Sequence, residues 1–234
     1  MKKRIFLTAE WRNLINITYK TDVSVLKPYL PKGLVLDTID NSAFISLVAF
    51  QFLETKVKGI RIPFHVNFPE INLRFYVKNK NSRGVVFIRE FVTKYMVALI
   101  ANKIYNEQYS TADIEAKIIR GKLITAGYKL SLNNSEYFIR LNAESNPNTP
   151  EESSSEHFFK EHSSGFGTDH SGNTIVYEVE HPVWKIYPVT DYSHNFDFRK
   201  IYGESFSFLN EEKPYNVLFA EGSQVKVFGA EKLK

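Results

Sequence analysis

The sequence predicts an α+β protein made mostly of antiparallel β-strands, curved into a barrel-like sheet, with two or three short helices. About ten runs of residues have strand character, and turn-forming residues separate them. A chain of 234 residues with 43% hydrophobic content can bury a substantial core. All-β barrels of this size often form one domain. We therefore expect a single domain over residues 1–234.

The N-terminal segments supply two strands and a short helix. Residues 11–20 alternate between apolar and polar side chains, which predicts a half-buried strand. Residues 21–34, TDVSVLKPYLPKGL, predict a short helix capped by Thr21 or Asp22. Residues 43–53 are apolar on both faces, as expected of a strand that is covered on both sides.

The middle of the chain predicts a hairpin, a helix and a meander. Residues 67–77 and 84–92 are strand-like and are joined by a polar loop, which indicates a hairpin. Residues 94–105 are apolar around most of a helical circumference and predict a buried helix. Three further strand-like runs between residues 113 and 145 predict a meander.

The C-terminal third begins with a polar segment, residues 145–155, which predicts a flexible surface loop. Residues 156–162 indicate a short helix, and residues 174–184 indicate a strand. The apolar runs on either side of Gly222, within residues 217–229, suggest a closing hairpin.

Residues 67–77, NFPEINLRFYV, have two chemically different faces. Successive strand side chains point to opposite sides of a sheet. One face carries Ile71, Leu73, Phe75 and Val77, and the other carries Glu70, Asn72, Arg74 and Tyr76. In the predicted hairpin, Arg74 is expected near Glu90, because opposite side chains lie about 5 Å apart. The polar face is either the solvated side of a sheet or the wall of a cavity.

Composition excludes several classes of site and partner. Cysteine is absent, so disulfides, thiolate metal sites and cysteine nucleophiles are excluded, which fits a cytoplasmic protein. The chain has neither an apolar run of membrane-spanning length nor a signal-peptide core, and we expect a soluble protein with no membrane partner. The net charge of +4 is dispersed, so no nucleic-acid partner is predicted.

Motifs for metals and cofactors are also missing. His157, His162 and His170 lie near acidic residues, but His157 and His162 are five residues apart and do not share a helical face. A polar loop is the favoured interpretation, and no metal site is predicted. The sequence has no Gly-x-Ser-x-Gly elbow, Walker loop or dinucleotide fingerprint, and no cofactor is predicted.

Three short motifs resemble a known family. They are Leu30-Pro31-x-Gly33-Leu34, Pro69-Glu70-x-Asn72-x-Arg74-x-Tyr76-Val77 and His181-Pro182-x-Trp184. They resemble the uncharacterised YqjF-like family, a domain of unknown function related to acetoacetate decarboxylase. The resemblance spans the chain from about Leu7 to Phe228. It implies an open β-barrel of the acetoacetate decarboxylase-like type with a cavity inside, and it does not imply the decarboxylase reaction.

The resemblance places a site glutamate but no reactive lysine. Phe68-Pro69-Glu70 is similar to the stretch that carries the decarboxylases' site glutamate. Their Gly-x-Pro-Lys-Lys stretch falls on residues 105–110, YNEQYS, where Tyr109 or a neighbour stands in place of the lysine and no lysine is present. Lys103 lies nearby without the motif and is expected to be a surface cation at a helix end. A Schiff-base acetoacetate decarboxylase is therefore not expected.

Residues 155–164, SEHFFKEHSS, also resemble a family segment, Phe-Leu-Thr-Glu-Arg-Tyr. Phe158, Phe159 and Glu161 fit this pattern, while Lys160, His162 and Ser163 depart from it. The departures leave the role of this segment open.

Three interpretations of function remain open. In the first, a barrel cavity binds a small anionic or oxo-containing molecule, with Arg74 as anchor. Its wall would include Asn72, Tyr76, Glu90, Tyr109 and Trp184. In the second, the protein is an enzyme in which Glu70 acts as general acid or base. In the third, it is a structural or interaction protein without a small-molecule site.

The resemblance favours a cavity, and this gives a structural prediction. The polar face of residues 67–77 should point into the barrel. Glu70 should be mostly buried, within reach of Arg74, Glu90 or Tyr109. The oligomeric state is left open, and a homo-oligomer is compatible with the sequence.

Overall fold

The computed structural model of the protein describes residues 3–80, 82–94 and 109–233. In these residues the strands are β1 (Ile5–Thr21), β2 (Val35–Leu36), β3 (Ala43–Val57), β4 (Phe68–Lys78), β5 (Arg83–Val92), β6 (Tyr109–Thr111), β7 (Asp113–Arg120), β8 (Leu123–Leu132), β9 (Ser135–Glu144), β10 (Ser164–Thr168), β11 (Thr174–Glu180), β12 (Ile186–Tyr187), β13 (Val189–His194), β14 (Asn216–Phe228) and β15 (Glu231–Lys232).

The helices are short. They are α1 (Val23–Leu26), α2 (Ser155–Lys160) and α3 (Phe198–Tyr202), with 3-10 turns at Lys27–Tyr29 and Glu204–Asn210. Asp22 caps α1 by accepting a hydrogen bond from the Ser24 backbone N–H at 2.7 Å, which confirms the predicted capped helix. No helix in the described ranges is both long enough and apolar enough to cross a bilayer.

The larger sheet forms a ring of strands. Its neighbours run β14, β1, β3, β4, β5, β10 and β11, and β11 pairs back to β14. This last pairing joins Val179 to Val227 and Glu180 to Lys226. The pairs are antiparallel except for β5 with β10 and β5 with β6. The predicted mostly antiparallel sheet is confirmed.

The smaller sheet covers one side of the ring. Its order is β13, β9, β8 and β7, all antiparallel, and β7 to β9 form the predicted meander. The outward apolar side chains of β1, β3 and β4 form one core cluster with those of β7 to β9 and with the segment around α3. Inside the ring, a second apolar cluster forms from the opposite faces of the same strands.

Two local predictions were wrong. The predicted closing hairpin is one continuous strand, β14, and Gly222 pairs with Arg12 of β1. Gly222 has a φ of +78°, and a Cβ there would lie 1.9 Å from the Trp11 carbonyl oxygen, so this glycine marks a close approach of two backbones rather than a turn.

The second correction concerns hairpin register. Glu90 pairs with Asn72, and Arg74 pairs with Phe87, because a bulge adds Ile88 to β5 between the two pairs. Arg74 and Glu90 are therefore diagonal neighbours instead of direct partners. The helix predicted over residues 94–105 lies outside the described residues from residue 95 onward. Residues 145–155 are irregular and largely exposed, and their predicted flexibility stays a prediction.

Candidate functional site

The polar face of β4 points into the ring, as predicted. Ile71, Leu73, Phe75 and Val77 lie in the outer cluster, which packs against the smaller sheet. Because side chains alternate along a strand, Glu70, Asn72 and Arg74 point the opposite way. They border a cavity of about 140 Å³ inside the ring. Glu70 is only 2% exposed and Asn72 only 1%.

Two buried carboxyl side chains, Glu70 and Glu90, form one part of the cavity wall. The Asn72 side-chain amide donates to Glu70 Oε1 at 2.9 Å, and the Tyr109 hydroxyl donates to Glu70 Oε2 at 3.3 Å. Tyr109 lies near Glu70 because β6 pairs in parallel with β5, and this pairing places Tyr109 beside Glu90. Glu90 is also buried. Glu70 therefore lies within reach of Tyr109, as the sequence predicted.

Two polar atoms next to these carboxyl groups have no hydrogen-bond partner within the described part of the chain. They are Arg74 Nε and Asn72 Oδ1, and both are buried. An unsatisfied buried donor or acceptor costs about 1–3 kcal/mol, and each such group in a native fold calls for an explanation. Both residues border the cavity, where a bound molecule is able to supply the missing partners.

Tyr76 lies on the same strand face but has another role. It does not border the cavity, and its hydroxyl bonds to Ser46 Oγ at 2.5 Å and to the Phe159 carbonyl at 3.5 Å. Asn16 donates to the same hydroxyl at 3.4 Å, and Thr18 bonds to both Asn16 and Ser46. This buried network ties the end of α2 to β1, β3 and β4.

The end of α2 and the segment that follows it form a second polar wall, which sequence reasoning missed. The Lys160 side chain is fully buried, borders the cavity and donates to Glu161 Oε1. The same carboxylate oxygen accepts the Trp184 backbone N–H at 3.2 Å. His181 stacks on Trp184 with ring centres 4.3 Å apart. The only available signals were the partial likeness of SEHFFKEHSS to its family segment and the His-Pro-x-Trp motif.

His162 belongs to this wall. Both ring nitrogens are buried, and neither has a hydrogen-bond partner in the described ranges. The imidazole packs against the rings of Tyr76 and Phe158, at centre distances of 4.9 and 5.9 Å, and these two rings also contact each other. Burial first, and then the positive charge of nearby Arg74, holds the pKa of His162 well below its usual value. The ring is therefore neutral at pH 7.

Trp184 and the remaining wall are mainly apolar. Trp184 is 4% exposed, borders the cavity as predicted, and donates from Nε1 to Ser223 Oγ at 2.8 Å. Aromatic and aliphatic side chains make up most of the rest of the wall, including Trp11, Leu14, Phe50, Phe52, Phe68 and Phe87. Among the described residues, no three His, Asp or Glu side chains are arranged to hold a metal ion.

Comparison with known proteins agrees with this geometry. Residues 8–224 match the family DUF2071, uncharacterized conserved protein. The uncharacterized protein YqjF of Bacillus subtilis (strain 168) is 30% identical over 108 residues. That match spans 46% of this chain and 45% of YqjF, so the chain aligns with less than half of that relative.

Solved structures share the fold at low sequence identity. An acetoacetate decarboxylase-like enzyme from Sphingomonas wittichii RW1 superposes with a TM-score of 0.68 at 12% identity, covering 98% of this chain and 93% of that one. Acetoacetate decarboxylase from Legionella pneumophila gives the same TM-score and identity, covering 98% and 87%. The enduracididine biosynthesis enzyme MppR, solved with pyruvate, gives 0.67 at 11%, covering 100% and 92%.

Proposed function

Because the chain belongs to the DUF2071 family, and its fold is that of acetoacetate decarboxylase-like enzymes, we propose that its cavity binds a small anionic or oxo-containing molecule anchored by Arg74. The observation that supports this most strongly is the buried Arg74 Nε, a donor that borders the cavity and has no hydrogen-bond partner among the described residues. Buried polar groups are normally hydrogen-bonded.

Charge determines which end of the cavity suits an anion. Glu70 and Glu90 are buried carboxylates, and a second negative charge beside them is unfavourable. Arg74 presents a guanidinium, whose planar set of donors matches a carboxylate. The anionic group of the ligand is therefore expected at Arg74, with its uncharged part toward Glu70 and the aromatic wall.

The test is a thermal-shift and calorimetric screen of short oxo-acids, acyl compounds and inorganic phosphate, with pyruvate included because MppR was solved with it. A ligand at 100 times its Kd adds about 2.7 kcal/mol, or roughly 5–10 °C for a domain of this size. Arg74→Met should abolish the shift. Arg199→Met is the matched control, because Arg199 is 62% exposed and pairs with Glu204 outside the cavity.

Absence of any shift with the whole panel contradicts the proposal and favours a structural or interaction role. A shift that Arg74→Met retains in full excludes Arg74 as the anchor.

A second candidate function is acid-base catalysis by Glu70. It is supported by the hydrogen bonds that fix both carboxylate oxygens, one to Asn72 and one to Tyr109, inside a buried cavity. A positioned base removes a proton next to a carbonyl, and solvent returns it.

This candidate predicts that the protein catalyses exchange of the methyl protons of pyruvate in heavy water. Glu70→Gln should lower the exchange rate about a hundredfold or more while pyruvate still binds. If the wild type binds pyruvate but does not exchange its methyl protons, the result contradicts catalysis by Glu70 and supports a binding function alone.

A further inference from the structure

We propose that His162 is a second ligand-binding residue and that the ligand is a short hydroxy acid with an apolar substituent. Its carboxylate would bind Arg74 and its hydroxyl would bind His162. This inference rests on the proposed function and deepens it, because it names the chemical class of the ligand and a contact from a second element of the fold.

The first support is geometric. His162 and Arg74 border the same cavity but come from different elements, His162 from the segment after α2 and Arg74 from β4. The Tyr76 and Phe158 rings contact each other and both contact the imidazole. The Tyr76 hydroxyl also bonds to the Phe159 carbonyl, three residues before His162. Ring packing therefore positions His162, whose ring nitrogens have no hydrogen-bond partner among the described residues.

The second support is the lack of partners for both ring nitrogens in the described ranges. A neutral imidazole has one nitrogen that donates and one that accepts. A hydroxyl group both donates and accepts, so it can bond to whichever nitrogen faces the cavity. An oxo group only accepts and bonds to a single tautomer. The chemistry of the site thus favours a hydroxyl over an oxo group at this position.

The third support is the size and polarity of the remaining space. A single water needs at least about 10–15 Å³ of such space, so a cavity of about 140 Å³ has room for a small organic molecule. Aromatic residues such as Phe50, Phe52 and Phe87 line it. An aromatic hydroxy acid such as mandelate has the required size, its carboxylate and hydroxyl are on adjacent carbons, and its ring suits the wall.

The experiment is calorimetric titration with mandelate, phenylacetate and phenylglyoxylate, which share the ring and carboxylate and differ in having a hydroxyl, no substituent or an oxo group. The wild type should bind mandelate about tenfold more tightly than phenylacetate. In His162→Phe the ratio should fall to about one, with phenylacetate affinity unchanged. His170→Phe is the matched control, since His170 is exposed and does not border the cavity.

The outcomes separate this inference from the proposed function. Equal binding of mandelate and phenylacetate by the wild type, lost in Arg74→Met, keeps the anchor but overturns the role of His162. Tighter binding of phenylglyoxylate than of mandelate overturns the hydroxyl assignment. No binding of any of the three overturns the hydroxy-acid inference, whereas a shift with pyruvate or phosphate still supports the proposed function.

A measurement on the wild type covers the case in which His162→Phe does not fold. Nitrogen-15 spectra of the imidazoles should show the His162 resonances changing with mandelate and staying in place with phenylacetate. Identical changes with both ligands overturn the inference.

Discussion

The two sides of β4 are equally buried and chemically opposite. On the outer side, Ile71 and Leu73 are fully buried in an apolar cluster against the smaller sheet. On the inner side, Glu70 and Asn72 are almost as completely buried but border a cavity. Burial therefore does not distinguish the two sides. The difference is that the outer side is closed by packing, while the inner side retains polar atoms without partners among the described residues.

Because only the inner side borders a cavity, substitutions on the two sides of β4 should affect different properties, namely stability and ligand binding. Apolar burial contributes about 25 cal/mol per Å², whereas an unsatisfied buried polar atom costs about 1–3 kcal/mol. We therefore expect changes on the outer side to alter unfolding and leave ligand binding unchanged, and changes to the cavity-lining side chain of Arg74 to do the reverse.

The largest effect is expected from Leu73→Ala on the outer side. Removing a fully buried leucine side chain leaves a cavity and should lower the free energy of unfolding by about 2–5 kcal/mol. Urea titration measures the loss, and ligand affinity in the folded variant should be unchanged. Ile119→Ala is the control, because Ile119 is 51% exposed and should cost far less. A loss below 1 kcal/mol for Leu73→Ala contradicts the assignment of this face to the core.

The next effect concerns the buried network around Tyr76, which lies on the inner side of β4 but does not border the cavity. Tyr76→Phe removes the hydroxyl that bonds to Ser46 and to the Phe159 carbonyl, and should cost about 1–3 kcal/mol. Because this network holds the segment that carries His162, mandelate affinity should fall more than phenylacetate affinity. Equal losses for the two ligands indicate that Tyr76 supports folding only.

A smaller effect on stability is expected from Arg74→Met on the inner side. The substitution removes the unpartnered buried Nε and keeps much of the aliphatic stem. The free energy of unfolding without ligand should stay within about 1 kcal/mol of wild type, or rise. Thermal unfolding without and with ligand measures both quantities. A stability loss of 3 kcal/mol or so indicates that Arg74 is part of a structural ion pair instead.

The comparison also shows which features a sequence can specify. The two faces of β4 were predictable because strand periodicity assigns Leu73 and Arg74 to opposite sides from local order alone. The pairing of Arg74 was not, since the extra residue Ile88 in β5 shifts the register without any turn residue to mark it. Gly222 suggested a turn, but glycine serves equally well where two backbones approach closely.

The second wall of the cavity was harder to predict. Lys160 ends a helix and His162 follows it, far along the chain from Arg74, and the closing of the ring brings the two walls together. In sequence, His162 is one histidine among several in a polar segment. The distinguishing fact is that its nitrogens are buried and have no hydrogen-bond partner among the described residues, which is a property of the folded state.

The smallest effect is a pH dependence of the free energy of unfolding. It involves two histidines, His162 and His194, that differ in their hydrogen-bond partners. His194 shares a hydrogen bond with the Tyr19 hydroxyl at 2.8 Å and accepts the Phe196 N–H at 3.3 Å, whereas His162 has no such partners within the described residues. Burial lowers the pKa of both in the folded state.

Above about pH 7 each histidine is neutral whether the chain is folded or unfolded, so neither affects stability. As the pH falls below about 6.5, the unfolded chain takes up protons that the folded protein does not, and stability decreases until the pH reaches the lowered folded pKa values.

His162→Phe removes one of these proton-binding groups and should reduce the loss of stability between pH 6.5 and 5.5 by up to about 1 kcal/mol. Urea titrations at the two pH values measure it, with His170→Phe as control because exposed His170 should leave the loss unchanged. An identical loss in wild type and His162→Phe means that His162 takes up its proton over the same pH range in the folded and the unfolded chain, which contradicts a pKa lowered by burial.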